Sequence, residues 1–145
     1  MQFKEQIYLT MRTYSKPIVV ILFTIMTYLP VYTQEIPANL MHGFQTGNAD
    51  ELLAHFNDRF ELTILGVDYK VSKSQATEIL RDFFKNNPPI AFSILHKGDK
   101  KDSNFAVGRL VTKANKFRVN IFFRKIADKN LIYLLVIEKE NDAIL

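Results

Sequence analysis

The sequence contains no cysteine. Disulfide staples are excluded, and so is attachment to a membrane through a lipid-modified cysteine, so the fold must rest on its core alone. Glycine is scarce, with five in 145 residues. "KGD" at 97–99 has neither the glycine spacing nor the following helix that a phosphate-cradling loop requires. Long apolar runs are also missing. The longest, "PIVVILFTIMTYLP" at 17–30, is confined between two prolines, whereas a membrane-spanning helix needs about 20 apolar residues. Excess charge of one sign is the last absence. The formal net charge is +4, and removing residues 1–33, with three cations and one acid, lowers it to +2. A nucleic-acid-binding domain presents a concentrated basic face, so nucleic acid is not an expected partner.

The first 33 residues have the layout of a secretory signal: Lys4, Arg12 and Lys16, then the short apolar segment, then "VYT" before Gln34. The expected mature protein is residues 34–145, cut after Thr33 to within a few residues, exported to the periplasm or beyond, with no stable membrane anchor. Its length suits one domain that folds without staples.

Local patterns predict three helices. Residues 35–47 carry Pro37 near the first turn and Gly47 as a stop; 48–57 begin at Asn48, with Leu52, Leu53 and Phe56 on one stripe; 72–87 open on a Ser72–Gln75 capping box and end at Pro88 and Pro89. A short strand, 59–65, lies between the second and third. Strands at 91–97, 105–113, 116–126 and 131–140 follow, separated by short turns that imply antiparallel hairpins. The expected class is α+β, with three N-terminal helices packed on a strongly bent antiparallel sheet.

Alternation assigns faces. With "AN" (114–115) as a two-residue loop, Ala106 opposes Phe123, Gly108 opposes Ile121 and Leu110 opposes Val119 on the core face. With Asp128–Lys129 as the next loop, Leu134, Val136 and Glu138 join that face, and Tyr133, Leu135 and Ile137 join the other. On strand 91–97, Phe92 and Ile94 point inward and His96 shares their parity; a bulge in this strand would reverse that placement. The expected pocket is therefore Phe92, Ile94, His96, Phe123 and Glu138. The second face, with Arg109, Arg118, Asn120, Phe122 and Arg124, is too apolar for free solvent and too rich in arginine for a core. It reads as a dimer or partner interface.

The stretches "IPANLMHGFQTGNADELLAHFNDRFELTI", "SKSQATEILRDFFKNNPP", "FSILHKG" and "FRVNIFF" resemble a secreted bacterial family without an assigned function, within the cone-shaped superfamily of nuclear transport factor 2 and ketosteroid isomerase. The resemblance covers nearly all of residues 35–140. It implies a pocket between sheet and helices, dimerisation through the sheet, and membership of a group with both enzymes and non-enzymes.

Candidate chemistry is sparse. His96 has the reference pKa of a general acid or base, with Glu138 as a carboxylate partner; the competing reading is a rim histidine and a strand-end acid. Asp68, Tyr69 and Asp82 are further polar candidates for isomerase chemistry, with no motif to unite them. His42, His55 and His96 have no ligand spacing and "GDKKDSN" lacks the oxygen density of a calcium loop, so neither metal nor cofactor is expected. The leading expectation is a non-catalytic exported domain, a homodimer that binds a small apolar ligand or an envelope protein. The alternative is a small cofactor-free isomerase, dehydratase or hydrolase using His96.

Overall fold

A computed structural model describes residues 35–100 and 103–140. The export signal read at residues 1–33 lies outside these residues. Helix α1 (Ala38–Thr46) ends at Gly47, whose φ of 69° is the left-handed conformation that suits glycine. The short helix α2 (Ala49–Leu53) is capped by the Asn48 side chain. Strands β1 (Phe56–Ile64) and β2 (Val67–Ser72) form a hairpin, followed by α3 (Lys73–Asn86). Strands β3 (Pro89–Lys100), β4 (Ser103–Thr112), β5 (Lys116–Ile126) and β6 (Lys129–Lys139) complete the chain.

The α+β class stands, with three differences in architecture. The third helix is not N-terminal with the other two but follows a hairpin, because "VDYKV" forms strand β2 ahead of the Ser72 cap. The sheet is mixed: its order is β2-β1-β6-β5-β4-β3, and the β1–β6 pair is parallel. The sheet is open and not strongly curled, with β2 and β3 as its separate edges. Pro89 at the start of edge strand β3 costs no ladder bond, as proline requires.

Turn chemistry resets the hairpin registers. Thr112 Oγ1 donates to the Asn115 carbonyl (3.0 Å) and accepts from the Asn115 amide (3.1 Å), so the β4–β5 loop is Lys113–Ala114. Ala106 therefore opposes Ile121, and Leu110 opposes Phe117. The shift from the expected register is even, so the core face keeps its members. The β5–β6 register breaks between Phe122 and Phe123. That shift is odd and inverts the outer part of β6: Leu135 and Ile137 are fully buried, while Leu134, Val136 and Glu138 lie on the outer face.

All three helices contribute to a core over one sheet face. The Phe56, of the expected helical stripe, instead opens β1 and is still fully buried. Phe44 of α1 stacks on Phe92 of β3 at 4.7 Å and meets Phe84 edge-on; Phe83 meets both Phe84 and Phe117 edge-on. These rings occupy the space between the helices and the β3–β5 part of the sheet. Gly108 is needed beneath them, because a Cβ there would come within 2.5 Å of the Phe92 ring.

Candidate functional site

The five residues expected to line an inner pocket do not come together. Phe92 and Phe123 are buried in the core and Ile94 packs against it. His96 is on the opposite face. A bulge at Leu95 takes the register from Ile94–Gly108 to His96–Val107, and the His96 ring sits beside Phe105. Glu138 is exposed opposite Arg118 on that outer face, separated from His96 by strands β4 and β5. No common point is within reach of both, as paired acid–base work demands. Asp68, Tyr69 and Asp82 are no better placed: Asp68 accepts from Thr63 Oγ1, Tyr69 packs against the core, and Asp82 is exposed on α3. Among the described residues no group of three His, Cys, Asp or Glu is arranged to hold a metal. His42 is bonded to Glu51 at 2.7 Å.

His55 stands at the α2–β1 junction. Its Nε2 is buried without a hydrogen-bond partner, and desolvation lowers the imidazole pKa. Its backbone carbonyl accepts from Ile132 N, which ties the α2–β1 junction to β6.

The interface candidates do share one face. Arg109 opposes Arg118, Asn120 opposes Val107, and Phe122 lies between Phe105 and Leu134. Phe105, Val107, Phe122, Leu134 and Val136 are all half-buried and form an apolar strip across three strands. Arg109 donates from Nε and Nη2 to the two carboxylate oxygens of Glu140, each at 2.7 Å. This bidentate bond, aided by the positive charge of Arg109, Arg118 and Lys116, holds the Glu140 carboxyl below its ordinary pKa. Arg124 stands apart: its guanidinium lies 4.5 Å over the Tyr133 ring.

At that point the sheet is broken. β1 pairs with β6 at Phe56–Ile132 and resumes only at Glu61–Leu134, so residues 57–60 bow away from β6. The resulting cleft, about 760 Å³, is lined by Arg59, Phe60, Lys70, Val71, Arg124 and Tyr133, with Asn57, Glu61, Ser72 and Gln75 at its margins. Sequence patterns missed it. A bulge without glycine leaves no signature in the chain, and Arg59 and Tyr133 are unremarkable strand residues until the strands are aligned.

The model of a domain of unknown function, DUF4783, matches residues 37–138. The chain belongs to the DUF4783 family. A solved DUF4783 protein from Bacteroides ovatus is 34% identical, with a TM-score of 0.71 over 76% of this chain and 100% of that one. A second, from Bacteroides uniformis, is 31% identical, with a TM-score of 0.70 over 74% and 100%. An NTF-2-like protein of unknown function from Silicibacter pomeroyi, only 11% identical, aligns with a TM-score of 0.54 over 70% of this chain and 87% of its own. That likeness extends to the fold alone, and places the DUF4783 domain among NTF2-like folds. No curated protein matches the chain. Among the described residues no helix is long and apolar enough to cross a membrane.

Proposed function

We propose that this DUF4783 protein is an exported, non-catalytic interaction domain that works as a homodimer through the outer face of its sheet. The observation that carries the reading is a half-buried apolar strip on that face, bordered by charges of both signs. A half-buried apolar strip is flanked by Arg109, Arg118 and Arg124, and the face also holds Glu61, Glu138 and Glu140. A strip of this kind suits a like surface better than a strongly acidic partner, because apolar contact is gained without setting one field of charge against itself. The mutual packing of the Phe44, Phe83, Phe84, Phe92 and Phe117 rings between helices and sheet supports the non-catalytic part. The signal-like residues 1–33 support export.

The test is sedimentation velocity on the protein and on its Phe122→Glu variant. A dimer that the substitution converts to a folded monomer is expected. A monomer in the unsubstituted protein at micromolar concentration, or a dimer indifferent to Phe122→Glu, refutes the assignment of this face. Export is checked separately by N-terminal sequencing, which is expected to begin at or within a few residues of Gln34.

A further inference from the structure

We propose that the break in the sheet beside Tyr133 is a binding site for a small organic anion: an oxyanion head, carboxylate or phosphate, on an apolar body. This goes beyond the dimer reading, and it shares Arg124 and Glu61 with the border of that face.

The site is a consequence of coincident irregularities. On one side of β6, β1 skips from Phe56–Ile132 to Glu61–Leu134; on the other, β5 pairs Phe122 with Leu134 and Phe123 with Ile132. Both neighbours pass over Tyr133. Bulges re-aim side chains in this way, and two at one residue open the sheet locally without exposing the core. Phe60, at the floor of the cleft, is only 4% exposed. The volume of about 760 Å³ falls within the range of small-molecule sites, roughly 300–1,000 Å³.

Charge selects the ligand. Arg59, Lys70 and Arg124 face one carboxylate, Glu61, which lies 3.7 Å from Lys70 in an exposed pair. Among the described residues neither Arg59 nor Arg124 makes an ion pair, whereas Arg81 and Arg109 are each held by carboxylates. A lone surface arginine is ordinarily just solvated. Arg124 differs because its guanidinium carbon lies 4.5 Å over the Tyr133 ring, a cation–π contact that restrains the group beside the cleft. A planar fork of donors held in place matches a carboxylate or a phosphate in bidentate fashion. Tyr133, Phe60 and Val71 then offer an apolar wall for the remainder of the ligand.

The test is a set of titrations followed by amide chemical shifts, with phenylacetate, phenyl phosphate, inorganic phosphate and uncharged 2-phenylethanol as probes. Saturable shifts at Arg59, Arg124 and Tyr133 with at least one aromatic anion are expected, and the stronger of the two identifies the head group. Binding of 2-phenylethanol should be weaker by about tenfold or more, as should binding of that anion to Arg59→Gln and to Arg124→Gln. The spectra of the two variants report whether each is folded. Arg59 borders the cleft on the β1 side, and sedimentation of Arg59→Gln separates loss of the cleft from any change in oligomeric state. Failure of both anions to saturate by about 10 mM overturns the proposal, as does equal affinity for the alcohol. Affinity unchanged in both variants overturns it too. Inorganic phosphate binding as well as phenyl phosphate would overturn the apolar half of the ligand.

Discussion

A single methyl group at Gly108 tests whether the interior is closed. The site lies under the Phe92 ring, and a Cβ there would stand 2.5 and 2.6 Å from two ring carbons and 3.2 Å from the Ser93 carbonyl oxygen. Ordinary carbon contacts begin near ~3.5 Å, so the ring must retreat by roughly 1 Å. It has nowhere to go, because Phe44 is stacked on its other side at 4.7 Å and Phe84 packs edge-on behind Phe44. Overpacking of a filled core costs about 1–3 kcal/mol, which lowers the melting temperature of a domain this size by about 4 °C or more. Gly108→Ala is therefore expected to destabilise by that amount in urea unfolding followed by circular dichroism. Phe92→Leu, which shortens the obstructing side chain, should recover part of the loss when combined with it, giving a coupling of about 1 kcal/mol between the two sites. If Gly108→Ala is neutral, the Phe92 ring has room to move. The interior then holds usable space, and an internal ligand site becomes feasible.

Two further outcomes follow from single side chains. His55 has a folded pKa below its ordinary value of 6.5 because burial penalises the imidazolium; the unfolded chain binds the proton more readily, so stability present above that value is lost as pH falls through it toward the folded pKa. His55→Leu should flatten this fall in denaturant midpoints measured between about pH 7.5 and pH 5, and parallel curves for the two proteins would refute the assignment. Ser72→Ala removes one half of the capping box that starts α3 and should cost about 1 kcal/mol, read in the same unfolding assay; no change would mean that tertiary packing alone fixes the start of the helix.

The features legible in the sequence are those with local causes. The Ser72–Gln75 cap and the apolar stripe of α3 are specified within a few residues, and both are present. The face assignment of β4 and β5 survived a misplaced turn only because the error was two residues in the pairing, which preserves parity. His96 and Glu138 were lost to shifts of odd parity, at Leu95 and at Tyr133. Strand β6 gave no warning. Its residues 131–137 are apolar on both faces, so alternation cannot say which side is inward. The parallel β1–β6 pair was invisible for another reason: no turn joins those strands, and pairing between distant segments leaves no local pattern. The cleft inherits both difficulties, since it exists only where that distant pair and that bulge coincide.

The same pairing sets an order of assembly. The last of the described strands to be synthesised is not an edge but the joint between β1–β2 and β3–β5. Until β6 arrives, the first hairpin has no neighbour and Phe56, Leu62 and Ile64 have only part of their cover. Closing so long a segment is entropically costly and slow, so the early chain stays unfinished for as long as its end is missing. A chain cut before Ile132 would leave two fragments of sheet with no strand to unite them. Placing the keystone late leaves the two parts of the sheet apart until the β6 segment has been made.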